Sequence, residues 1–338
     1  MRRLVLVPAL LLVAACGPPA ETPAAVAPVK VARTAVALDG LPLGPPPRIG
    51  YVVDHRFVAP GGRRYRLPRT FGVLSVARLG DGFLVQDDRN FEGYTGLALV
   101  RRGRKVEGWS TTGTPVAGLH GAVAWGEATS SEASAQPPPK VRLEVGGVRL
   151  EQQLEVQPHL VGIVGDEVIF GAMFAPYPDS PGPWITDLVS PPRRLWVRHV
   201  ADVDEVHERI LGKKGPGSPA VMDLETLEPL WSPAGRGFTL TRFSPRGRLV
   251  IGEARDHSLV VVDSRSGEER GRITLPPDVT WVWQTMWETD RSILIVVATG
   301  KRVAILRSTP RGRIEVAMPS MRVPTATLGP GIVLTERS

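Results

Sequence analysis

The chain has 338 residues, 42% of them hydrophobic, with 41 lysines and arginines against 34 acids and a net charge of +7. A single cysteine excludes an intramolecular disulfide framework, so stability must come from an apolar core, which a chain of this length can build. The 33 prolines and 36 glycines, with no long apolar run after residue 15, exclude a multi-span membrane protein.

The first segment reads as a leader. Arg2 and Arg3 precede an apolar stretch from Leu4 to Ala15, too short for a bilayer, which takes about 20 residues. A basic start, a short apolar centre and small residues before a cut site make a secretory signal. The run Leu12-Val13-Ala14-Ala15-Cys16 resembles the lipobox of bacterial lipoproteins. That resemblance implies a thioether between Cys16 and diacylglycerol, removal of residues 1–15, and a lipid-anchored protein at the extracytoplasmic side of the bacterial cell envelope. Cleavage removes two arginines and no acid, which lowers +7 by two, to +5. The alternative is a lone thiol behind an ordinary secretory signal.

From Gly17 to Pro47 the chain carries eight prolines and few large apolar side chains, too little for a core. At about 3.1 Å per residue this stretch reaches at most roughly 95 Å. Residues 16–47 therefore form a lipidated tether. Its more apolar part, Val36 to Leu43, is expected to lie along the folded domain.

Residues 48–338 repeat. Short apolar runs flank tight turns centred near residues 61, 102, 146, 190, 226, 266 and 311, at intervals of 36 to 45. Glycine, proline and aspartate supply the backbone freedom or fixed φ that these reversals require. Ahead of most hairpins sits a second strand pair, as in Val73–Leu79 with Phe83–Gln86, or Phe238–Phe243 with Leu249–Ile251. A period near 40–45 residues with four strands each predicts an all-β propeller of seven blades. Two stretches near the C-terminus, Pro324–Leu328 and Gly331–Thr335, are expected to form one strand pair that joins Ile49–Val53 and the hairpin around Gly61 and completes the seventh blade from both chain ends, which removes a free sheet edge.

One repeat is sharp enough to place. Phe243-Ser244-Pro245-Arg246-Gly247-Arg248, followed by Leu259 to Glu268 with Asp263 before the turn, resembles the WD-repeat-like blade of TolB-type propellers. Val221-Met222-Asp223-Leu224-Glu225-Thr226 is a fainter copy. That family favours aspartate where Arg246 stands. The resemblance covers about one-seventh of the chain and implies a propeller with a binding or scaffolding style, since this fold hosts many functions.

The chain carries no phosphate loop, two-histidine zinc helix, paired CxxC or calcium loop. No catalytic residue, metal site or cofactor is expected. The six histidines (His55, His120, His159, His199, His207, His257) are scattered and read as surface or turn residues. Asp202, Asp204 and Glu205 read as a solvated acidic loop rather than a cation site. Asp187, Asp223 and Asp263 recur at one blade position and are expected to accept turn N–H bonds. Trp281, Trp283 and Trp287 share one parity, so they are expected on one face, packed between blades, with a sugar-stacking platform as the alternative. Trp109 and Trp231 likewise read as packing.

The function expected is therefore a lipid-anchored, non-enzymatic binding or scaffolding propeller, with a lactonase-like hydrolase or quinoprotein-like cofactor binder as the alternative. Its expected partners are the membrane, through the lipid on Cys16, and a protein or envelope polymer, with nucleic acid excluded by export. Long connections at Asp87–Gly96, Glu127–Pro139 and Phe174–Pro183 are expected on one face. Arg89, Phe91, Tyr94, Tyr177 and Trp184 are the candidate partner-binding anchors there. Six of the seven outer hairpins carry basic residues: Arg63, Arg64 and Arg66; Arg101, Arg102, Arg104 and Lys105; Arg142 and Arg149; Arg193 and Arg194; Arg265, Arg270 and Arg272; Arg307, Arg311 and Arg313. They are expected to form a positive rim suited to anionic lipid or polyanions.

Overall fold

Short runs rich in valine, isoleucine and leucine, broken by glycine and aspartate turns, leave the chain little choice but antiparallel strands. The computed structural model describes residues 36–68, 72–91, 94–111, 113–128, 138–172, 182–322 and 331–335. These residues form seven four-stranded antiparallel sheets with only two short 3-10 turns, a seven-bladed β-propeller.

The first blade contains β1 (Tyr51–Val53), β2 (Arg56–Val58) and β3 (Arg64–Arg66). The second holds β4 (Val73–Leu79), β5 (Gly82–Phe91), β6 (Tyr94–Arg101) and β7 (Arg104–Thr111). The third holds β8 (Val116–Ala117), β9 (Val123–Glu127), β10 (Lys140–Val145) and β11 (Val148–Gln153). The fourth holds β12 (Pro158–Val164), β13 (Glu167–Ala172), β14 (Trp184–Thr186) and β15 (Arg193–Arg194). The fifth holds β16 (His199–Asp204), β17 (Arg209–Lys213), β18 (Ala220–Asp223) and β19 (Pro229–Trp231). The sixth holds β20 (Phe238–Phe243), β21 (Leu249–Ala254), β22 (Leu259–Asp263) and β23 (Glu269–Ile273). The seventh holds β24 (Trp281–Thr289), β25 (Ser292–Thr299), β26 (Arg302–Ser308) and β27 (Ile314–Arg322), and β28 (Ile332–Leu334) completes the first.

Closure works through one C-terminal strand joined to three N-terminal ones: Tyr51 pairs with Leu334, Val52 with Val333 and Val53 with Ile332. The Thr335 backbone N–H and hydroxyl both donate to the Gly50 carbonyl, at 3.0 and 2.8 Å. The expected partner stretch Pro324–Leu328 lies outside the described residues.

The innermost strands β28, β4, β8, β12, β16 and β20 touch in turn around the axis, and β24 touches β28. Apolar clusters fill the spaces between blades, such as Ile251, Val261, Trp287, Ile295 and Leu306 between blades six and seven. Strands β4, β12, β16, β20 and β24 each carry a bulge in their pairing with the next strand. A bulge adds local twist and turns side chains off the parity that an unbroken strand would keep.

The tether's last residues pack on this ring, as their composition predicts. Leu38 is buried, and its N–H donates to the Asp278 carboxylate at 3.0 Å. Leu43 bridges to Val316 beside β27. Among the described residues, no helix is long and apolar enough to cross a membrane.

Candidate functional site

Strand β24 ends in Trp287-Glu288-Thr289, and Glu288 is only 1% exposed. A carboxylate buried that deeply needs a cation and further donors. Arg307 on β26 supplies a two-point clamp, Nε to Oε2 at 2.6 Å and Nη2 to Oε1 at 2.7 Å. Glu288 also accepts the Arg48 N–H at 2.6 Å and the Ser292 hydroxyl at 2.9 Å. Arg307 further donates to Glu315 and to the carbonyls of Pro45 and Pro46, at 2.8 to 2.9 Å. This clasp fastens the tether's end to blade seven. Burial alone would raise the Glu288 pKa, but the bonds from Arg307, Arg48 and Ser292 hold it below the ordinary glutamate value. The same pair raises Arg307.

Beside the clasp opens a cleft of about 600 Å³, lined among others by Pro45, Arg48, Arg246, Asp290, Arg291 and Glu315. Its inner carboxylates are already committed to Arg307. The Arg246 N–H donates to Asp290 Oδ1 at 3.0 Å, and its Nε lies 3.6 Å from Oδ2. The departure of this turn from the TolB-type pattern fits its neighbour: the Arg246 side chain faces Asp290 of the next blade, where an aspartate would set two like charges together. The side chains of Arg48 and Arg291 are exposed and have no acidic partner among the described residues. Two free guanidinium groups over a saturated floor suit a carboxylate or phosphate.

Sequence reasoning placed Arg307 on the basic rim, and burial corrects that. A signal was present, because Arg307 directly continues the buried strand run Val303-Ala304-Ile305-Leu306, and a charge that shares such a strand's burial requires a partner. Part of the expected rim is likewise neutralised. Arg101 pairs with Asp81, Arg142 with Glu127 and Glu151, and Arg149 with Glu107 and Glu144. Arg270 pairs with Asp263 and Glu268, and Arg272 with Glu269. Where blades one and two meet, Arg64, Arg66, Arg102, Arg104 and Lys105 have no acidic partner among the described residues. A Cβ built on Gly103 in that turn would lie 3.2 Å from the Arg66 carbonyl.

The repeating aspartates act as expected. Asp187 accepts the N–H groups of Ser190 and Val189, and Asp223 that of Thr226, which lowers both pKa values. For Asp263, burial pushes upward but is outweighed by Ser266, Arg270 and Arg265 donating to it. The acidic run on β16 is a correction. Asp204 is 3% exposed, accepts the Val206 N–H at 3.2 Å and lies 2.9 Å from His207 Nδ1. Asp202 accepts the Phe243 N–H of the next blade at 2.6 Å. These carboxylates are structural staples, not a solvated loop. Asp204 also fills the space a Cβ on Gly247 would need, and with φ at +64° that position demands glycine.

Of the candidate anchors, Trp184 stacks on Phe170 at 5.7 Å and 15° and is partly buried. The side chains of Arg89, Phe91 and Tyr94, and Cys16 and Tyr177 entirely, lie outside the described residues. Strands β5 and β6 continue to Phe91 and from Tyr94, so the first long connection is an extended hairpin. Trp287 is buried as expected, with Nε1 donating to the Arg242 carbonyl at 3.4 Å. Trp281 and Trp283 are not: they are 62% and 45% exposed, because the bulge between Val282 and Gln284 breaks the parity. Trp109 packs against Trp125, and Trp231 donates to the Ser264 carbonyl. Among the described residues, no three metal-binding side chains gather.

No protein-family model matches the sequence, and no curated protein matches it. Solved structures similar to it include two propeller domains. The β-propeller domain of Cps50 (Swd1) from Myceliophteria thermophila has 11% identity over 75% of this chain and 89% of its own, with a TM-score of 0.47. The WD40 propeller domain of Doa1 has 12% identity over 81% and 96%, also at 0.47. BamB from Moraxella catarrhalis has 16% identity over 74% and 85%, at 0.39.

Proposed function

We propose that the protein is a lipid-anchored, extracytoplasmic β-propeller that binds or scaffolds a partner at the cell envelope without catalysing a reaction. The observation that carries this reading is the lipobox run ending at Cys16, ahead of a tether whose far end is clasped to the propeller by Arg307 and Glu288. A lipid on Cys16 holds the chain at a bilayer, and the tether gives the domain reach. The clasp transmits that restraint to blade seven. The cleft beside it receives an acidic group of the partner between Arg48 and Arg291, while Arg89, Phe91, Tyr94, Tyr177 and Trp184 offer a second contact.

The test is fractionation followed by capture. Wild-type protein is expected in the membrane fraction, and Cys16→Ser in the soluble exported fraction. Unchanged membrane association of Cys16→Ser would overturn the anchor. Crosslinking in intact cells, followed by pull-down, is expected to recover a defined partner with wild type and much less with Arg48→Ala/Arg291→Ala. Equal recovery by both places the contact elsewhere.

A further inference from the structure

Two large apolar rings stand in solvent on a domain that buries most of the others. Trp281 and Trp283 lie at the start of β24, with ring centroids 6.2 Å apart at 61°. Trp281 is opposite Ala298 in the pairing of β24 with β25, two residues before the hairpin tip at Gly300. That hairpin carries Lys301 and Arg302, and Arg322 is directly opposite Arg302 on β27. All three cations are exposed, and none has an acidic partner among the described residues. Exposed tryptophan beside unpaired cations is the composition of a surface that settles at the boundary between lipid headgroups and acyl chains.

The position of the tether adds an independent argument. The packed unit begins at Val36, and the Leu38 N–H is held by Asp278, three residues before Trp281. The described chain therefore enters the domain beside the loop that leads into the tryptophan pair. We infer that Trp281, Trp283, Lys301, Arg302 and Arg322 form a docking surface for an anionic phospholipid bilayer, the one to which the chain is anchored. This rests on the lipid-anchor reading for its biological setting, but its chemistry is independent of the lipid on Cys16. The partner-facing cleft then lies at the other end of β24, directed away from the membrane.

The experiment uses the mature chain, residues 16–338, with Cys16→Ser. It is sedimented with vesicles of phosphatidylcholine alone or mixed equally with phosphatidylglycerol. Binding is expected to the mixed vesicles at low salt and not to the neutral ones. Trp281→Ala/Trp283→Ala should weaken it about tenfold or more. Replacing Lys301, Arg302 and Arg322 by glutamine should cost roughly fivefold per charge and flatten the salt dependence. Arg102→Ala/Arg104→Ala on the opposite rim should change nothing, and circular dichroism melts confirm that every variant is folded. Equal binding by the tryptophan variant, loss in the rim variant, or binding to a soluble anionic polysaccharide but not to vesicles would overturn the proposal. A lipidated protein whose Cys16→Ser form ignores vesicles loses the docking surface and keeps the anchor. An unlipidated protein that still binds them keeps the surface and loses the anchor.

Discussion

The two ends of β24 follow opposite rules. At its close, Glu288 is buried and every lone pair that matters is spoken for by Arg307, Arg48 and Ser292. At its start, Trp281 and Trp283 are apolar yet exposed, and the nearby cations have no acidic partner among the described residues. Burying a charge at one end while exposing two tryptophans at the other runs against the usual partition, which Trp287, buried on the same strand, still follows. Polar burial here fixes the chain's attachment, and apolar exposure leaves surface for a partner. Stability and recognition sit at opposite ends of one strand.

The sharpest way to break that contrast is to remove the strand both ends lean on. Gln284, midway along β24, donates to the Leu334 carbonyl at 3.1 Å and accepts the Leu334 N–H at 2.8 Å. Deleting residues 331–338 removes β28, exposes the edge of β1 and is expected to prevent formation of the monomeric fold, visible as loss of the cooperative melt and as aggregation in size-exclusion chromatography.

Arg307→Ala attacks the buried end alone. It leaves Glu288 uncompensated and should destabilise by about 3–5 kcal/mol in urea unfolding. Vesicle binding by the folded fraction should be unchanged, which separates the two ends.

Acid should weaken the buried end by a related route. Glu288, Asp187, Asp223 and Asp263 all have pKa values lowered by folding. Their contribution is full above the unfolded values near pH 4 and is lost as pH falls through the lower folded values. Burial of Glu127 works the other way, raising its pKa despite Arg142 and Lys140, so its penalty is relieved earlier in the descent, as pH falls through the raised folded value to the ordinary one. Melts from pH 7 to about pH 2.5 should show a net loss of stability, and Glu288→Gln should reduce its slope.

The smallest expected effect on stability is at the exposed end. Trp281→Ala/Trp283→Ala should shift unfolding free energy by no more than about 0.5 kcal/mol, as for surface positions with few contacts. A larger loss would mean that these rings pack in solution, and would move them from recognition to the core.

The sequence was sufficient for the seven-bladed architecture, because turn chemistry and strand period are local properties repeated seven times. It also placed the turn aspartates correctly, since their partners lie two or three residues away. It misjudged whatever depended on the neighbouring blade. Asp204 read as solvated because the turn at Gly247 that covers it is 43 residues downstream. Arg307 read as rim because its partners come from β24 and from Pro45 and Pro46. Trp281 and Trp283 read as core because parity holds only while a strand pairs without a bulge, and a bulge is decided by twist around the closed ring. What the chain encodes locally is the blade; which charges are quenched and which rings are exposed was settled only when seven blades packed side by side.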